Sequence, residues 1–167
     1  EAINAHAELL LSGNGVPRNP VLAEEHFKMA ADLGSNAAYV NMGRLMETRD
    51  PRSAQRWYRA AAERGYPPAQ RIYGEILLTE GMGLYRNDGL EYLRKAAAAK
   101  DAAAAYRLGQ LYAAGQYVEH SNEQARIYFG SARDNGHPEA AARLRELGEL
   151  PLVNTSGAIR GSATPSQ

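Results

Sequence analysis

Four histidines, ten tyrosines and no cysteine carry most of the reactive chemistry available to this chain of 167 residues. His6, His26, His120 and His137 are scattered. None has a second His, a Cys or a carboxylate at a spacing that marks a metal site, so no metal ligand is expected. A serine nucleophile would need a His and an Asp brought to it, and the G-x-S-x-G elbow does not occur. The Gly-x-Gly stretches at Gly13–Gly15 and Gly81–Gly83 lack the preceding strand and the Lys-Ser/Thr of a phosphate cradle, so they are expected to be turns between helices. No catalytic residue and no cofactor is assigned. A hydrolase with an unrecognised His/Ser or carboxylate site is the alternative, and it requires a pocket joining a His to a Ser or to carboxylates.

The aromatic residues have a structural explanation, because they recur in register. Trp57–Gly65 reads WYRAAAERG, and the same pattern returns as HFKMAADLG at His26–Gly34, YLRKAAAAK at Tyr92–Lys100 and YFGSARDNG at Tyr128–Gly136. The last residues of these stretches, at 34, 65, 100 and 136, are 31, 35 and 36 apart, a period that marks a helical solenoid. Nine residues further on come Gly43, Gly74, Gly109 and Arg145, preceded by Met42, Tyr73, Leu108 and Leu144. Ala38, Ala69, Ala104 and Ala140 stand four before those bulky residues, hence on the same helical face, and form a packing seam. The loops GNGV (Gly13–Val16), GMGL (Gly81–Leu84) and GQYV (Gly115–Val118) join the two helices of a repeat. In the second repeat the loop shrinks to Thr48–Pro51, which explains the spacing of 31.

With LGQLYAAG at Leu108–Gly115 and WYRAAAERG at Trp57–Gly65, the chain resembles the Sel1-like repeat family, a relative of the tetratricopeptide repeat, over roughly Glu1 to Gly148. The resemblance implies an all-α fold, a right-handed α/α superhelix that binds other proteins, and carries over no catalytic residues. Members of that family stapled by disulfides offer no guide here, since Cys is absent. The expected organisation is a solenoid at 1–148, with repeats at about 1–35, 36–66, 67–100 and 101–137, a capping helix at 138–148 and an extended tail at 149–167.

Composition limits the partners. Nineteen Lys and Arg balance nineteen Asp and Glu, so the formal charge is zero and nucleic acid or an anionic membrane is not indicated. No apolar run reaches transmembrane or signal-peptide length. Glu1 falls straight into a helical pattern and reads as a processed or trimmed terminus. The absence of Cys suits a bacterial cytoplasm or periplasm, the periplasm being preferred.

Helix boundaries follow from caps. Asn19-Pro20 and Asp50-Pro51 pair an N-cap with a first-turn proline, Pro67 opens a helix, and Asp101 caps another. Helices are expected at 1–12, 20–34, 36–48, 51–64, 67–80, 88–99, 101–114, 121–135 and 138–147. Gly34, Gly65 and Gly136 suit a left-handed C-terminal turn, whereas Lys100 in the same place must be either strained or differently turned.

In tetratricopeptide-like superhelices the first helix of each repeat lines the concave side, and the resemblance implies that its non-pattern positions face the partner. Counted from the central Gly, positions minus three, plus one and plus four form one stripe: Asn4, Glu8 and Leu11; Val40, Arg44 and Glu47; Arg71, Glu75 and Leu78; Tyr106, Gln110 and Ala113. Such a mixed stripe suits a protein or extended peptide. The expected function is therefore a non-enzymatic adaptor, a bacterial envelope scaffold or a toxin-neutralising immunity protein. The tail, anchored through Leu152, Val153 and Ile159, is expected to dock in the chain's own groove or on a neighbouring molecule.

Overall fold

Proline and short polar side chains decide where the helices begin. In the computed structural model, which describes residues 1–81 and 83–149, the side chains of Asn19, Ser35, Asp50, Asp101 and Ser121 each accept a hydrogen bond from the backbone N–H three residues on. Pro20, Pro51 and Pro67 open their helices, where the missing N–H costs nothing. The described residues form nine helices and no strand: α1 (Ala2–Ser12), α2 (Pro20–Asp32), α3 (Asn36–Met46), α4 (Pro51–Glu63), α5 (Pro67–Glu80), α6 (Arg86–Ala98), α7 (Ala102–Ala114), α8 (Asn122–Asp134) and α9 (Ala140–Glu149).

Every substantial helix–helix contact joins consecutive helices, as a solenoid requires. The expected seam is present: Ala38, Ala69, Ala104 and Ala140 are fully buried. The central glycines set how closely the two helices of a repeat approach. A Cβ at Gly43 would stand 2.5 Å from the Tyr58 ring, and one at Gly109 would stand 2.7 Å from Phe129. In the third repeat Leu93 replaces the ring, and Gly89 stands where its neighbours have Ala23, Ala54 and Ala125. There the backbones themselves close up, so that a Cβ at Gly74 would meet the Gly89 carbonyl oxygen at 2.8 Å.

The four turns between repeats share one geometry. Gly34, Gly65, Lys100 and Gly136 have φ of 90°, 81°, 66° and 88°. Each is bracketed by the same hydrogen-bond pair, for example Lys100 N–H to the Ala97 carbonyl and Asp101 N–H to Ala96, both 3.0 Å. Lys100 is therefore strained rather than differently turned, at a cost of about 1 kcal/mol for a Cβ-bearing residue there. Tyr117, with φ 64°, likewise stands where the other long loops have Gly15 and Gly83.

Two helix starts differ from expectation by more than one residue. Helix α6 begins at Arg86, which leaves Asp88 inside the first turn, where a carboxylate suits the helix dipole. Helix α9 begins at Ala140 rather than Pro138, because residues 137–139 are held by α7. His137 stacks on Tyr106 with centroids 3.9 Å apart, and the Tyr106 hydroxyl donates to Glu139 at 2.8 Å. The expected docking of the tail through Leu152, Val153 and Ile159 lies outside the described residues.

Candidate protein-binding face

Polar residues join the first helices in two pairs, α1 to α3 and α5 to α7. On α1, Asn4 donates to Glu8 at 3.0 Å, and Asn41 on α3 donates to both Asn4 and Glu8, at 3.1 and 2.9 Å. Arg44 then donates to Asn41 at 3.4 Å. Between α5 and α7 the Arg107 guanidinium donates to Glu75 at 2.7 Å, both side chains less than one-third exposed. Counted from the central small residue, both inter-repeat links join position plus one of a first helix to position minus two of the next. The plus-one residues Glu8, Arg44, Glu75 and Gln110 all belong to the expected stripe. The minus-two residues Asn41 and Arg107 do not, and the pairing of complementary groups 33 and 32 residues apart is the signal that could have found them.

Four members of the expected stripe are buried and cannot face a partner: Asn4, Val40, Leu78 and Tyr106 are 8%, 3%, 4% and 7% exposed. Position minus three turns toward a neighbouring element. Val40 packs in one cluster with Tyr58, Ala61 and Ala69, and Tyr106 lies against Phe129 as well as His137. Leu78, at plus four, closes on Leu90 and Leu93. The other eight members, Glu8, Leu11, Arg44, Glu47, Arg71, Glu75, Gln110 and Ala113, keep partial or full exposure.

Two hollows interrupt this face. One of about 650 Å³ lies between α1 and α3, with Leu11, Phe27 and Leu45 as apolar walls and Glu8 and Arg44 at the rim. The other, of about 360 Å³, lies between α3, α4 and α5, with Ile72, Ile76 and Tyr58 inside and Glu47, Arg71 and Glu80 around them. Burial, reinforced by the hydrogen bond to Glu47 at 2.5 Å, raises the Tyr58 phenol well above its ordinary range, so it remains a donor. Arg71 approaches Asp101 at 3.4 Å, yet its Nε is buried without a hydrogen-bond partner.

A third groove, of about 720 Å³, was not expected. It runs between the second helices α4 and α6, over Tyr73, Ile76 and Leu77 of α5, and meets the second hollow at Gln55, Ile76 and Glu80. Charges along it are paired within single helices, Arg59 with Glu63 at 2.7 Å and Lys95 with Glu91 at 2.6 Å. None of these three grooves is lined by a His, and no cluster of three or more His, Cys, Asp or Glu suited to a metal ion occurs among the described residues. The structure does bring two histidines together: His6 on α1 and His26 on α2 face each other with their Nδ1 atoms 3.1 Å apart.

Comparison with known proteins agrees with this architecture. The Sel1 repeat family model matches residues 1–35, 36–66, 67–101 and 102–137. An uncharacterized protein of Neisseria meningitidis is 29% identical over 98% of this chain, which spans 36% of that relative's length. Chitin synthase regulatory factor 4 of Schizosaccharomyces pombe is 29% identical over 79% of the chain, here spanning 22% of the relative. Among solved structures, a Sel1 repeat protein from Oxalobacter formigenes is 27% identical with a TM-score of 0.78, covering 88% of this chain and 64% of its own. The immunity protein Pa5087 from Pseudomonas aeruginosa is 26% identical with a TM-score of 0.66, covering 84% of this chain and 54% of its own.

Proposed function

The chain belongs to the Sel1 repeat family, and from that premise we propose that it is a non-enzymatic protein-binding module whose first-helix face receives an extended segment of another protein. One observation carries the proposal: two apolar-walled hollows on the same face, each rimmed by both signs of charge. Apolar anchors seated in hollows supply most of the affinity of such contacts, and rim charges select the partner. Within this class the finer assignment is a toxin-neutralising immunity protein or a bacterial envelope scaffold. The immunity role is supported by the likeness to an immunity protein at a TM-score of 0.66.

The test is capture of partners from a bacterial lysate by the wild type and by Arg44→Glu/Arg71→Glu side by side, with mass spectrometry of the retained proteins. A partner held by the wild type and lost by the variant, at unchanged helical circular dichroism, supports the proposal. A partner retained equally by both moves the binding site to the groove between α4 and α6.

A further inference from the structure

The first position of each repeated bulky pair is a ring that meets a ring on the first helix of its own repeat. Trp57 meets Tyr39, Tyr92 meets Tyr73 and Tyr128 meets Tyr112, with centroids 5.4, 5.2 and 5.5 Å apart. In the first repeat both rings are imidazoles. His6 and His26 keep the same spacing, centroids 5.0 Å apart with planes at 40°, and their Nδ1 atoms face each other. Packing alone asks only for rings, as the other three repeats show. What this pair adds is two nitrogen donors from two helices at one point, with His6 exposed and His26 half-buried.

We propose that His6 and His26 form a two-histidine site for a late first-row divalent cation, Zn²⁺, Ni²⁺ or Cu²⁺. At metal–nitrogen bonds of about 2.0–2.1 Å, two donors 3.1 Å apart subtend roughly 98° at the metal, between the square and tetrahedral angles. As the rings stand, one Nδ1 carries a proton and donates to the other. On metal binding that proton leaves Nδ1 and a proton is taken up at Nε2 of the same ring, so both Nδ1 lone pairs reach the cation and the two neutral imidazoles gain no charge. No group of three metal-ligating residues occurs among the described residues, so the remaining coordination positions are open to water. Binding at such a site is reversible, and it ties α1 to α2.

Calorimetric titration of tag-free protein with ZnCl₂ and NiCl₂, alongside thermal melts with and without each metal, tests the proposal. The wild type is expected to bind one cation per chain and to melt higher with metal. His6→Ala should weaken binding by roughly tenfold or more, since removing even an outer-shell partner of a ligand typically costs that much. His26→Tyr restores the aromatic pairing of the other repeats without a ligand nitrogen, so it should fold normally and lose the metal response. His120→Ala should behave as wild type. Equal binding by wild type and His26→Tyr, or no heat and no shift with either metal, overturns the proposal.

Discussion

The two faces of the solenoid use their charged side chains differently. On the first-helix face, Glu8–Asn41 and Glu75–Arg107 run from one repeat to the next. On the second-helix face, Arg59–Glu63 and Glu91–Lys95 pair residues one turn apart in the same helix. Two links there do cross between repeats: Arg49–Glu24, at 2.8 Å, at the shortened loop of the second repeat, and Arg94, which donates to the Tyr112 hydroxyl of the next repeat at 3.2 Å. A link between repeats fixes the angle at which they stack, whereas a pair within one helix fixes only its own side chains. At these two junctions the first-helix face is thus held in shape before any partner arrives, which lowers the ordering cost of binding.

The largest effect on this arrangement should come from forcing the two layers apart where they touch. Gly74→Leu would drive a side chain against the Gly89 backbone, which cannot swing away as a side chain could. It should destabilise by about 1–3 kcal/mol or more. A thermal melt with an unchanged midpoint would show that the two backbones are not in contact. Next comes the strained turn that returns the chain from second to first helix. Lys100→Gly should raise the melting midpoint, recovering up to about 1 kcal/mol. A lower midpoint would mean that the strain at Lys100 is already relieved.

A double-mutant cycle sharpens the comparison itself. Glu75 and Arg107 are 28% and 29% exposed, against 50% and 61% for Glu63 and Arg59. The link between repeats should show a coupling of about 0.5–1 kcal/mol, and the solvent-exposed pair within α4 a smaller one. Equal couplings would remove the energetic distinction between the faces.

Most of this architecture is written in small residues. Gly43, Gly74, Gly109 and the four seam alanines recur at fixed offsets because close helix packing tolerates little else there, and all are buried in the structure. Lys100 is legible by the same logic, as the one non-glycine in a series. The binding face is only half legible. Helical spacing puts Val40 and Arg44 on one stripe, but it does not say which edge of the stripe the adjoining repeat covers. Val40 and Tyr106 went to the core for that reason, and Arg107 was missed because its partner Glu75 lies a full repeat away. His6 and His26, twenty residues apart on different helices, meet only once α1 and α2 are paired in register.

The central claim, that a partner lies along the first helices, is most directly tested by hydrogen–deuterium exchange of the chain with and without its captured partner. Slowed exchange in α1, α3 and α5, centred on the two hollows at Leu11–Leu45 and Ile72–Ile76, is the predicted result. Protection of α4 and α6 without α1 and α3, around the groove that Tyr73 and Tyr92 share, would contradict it.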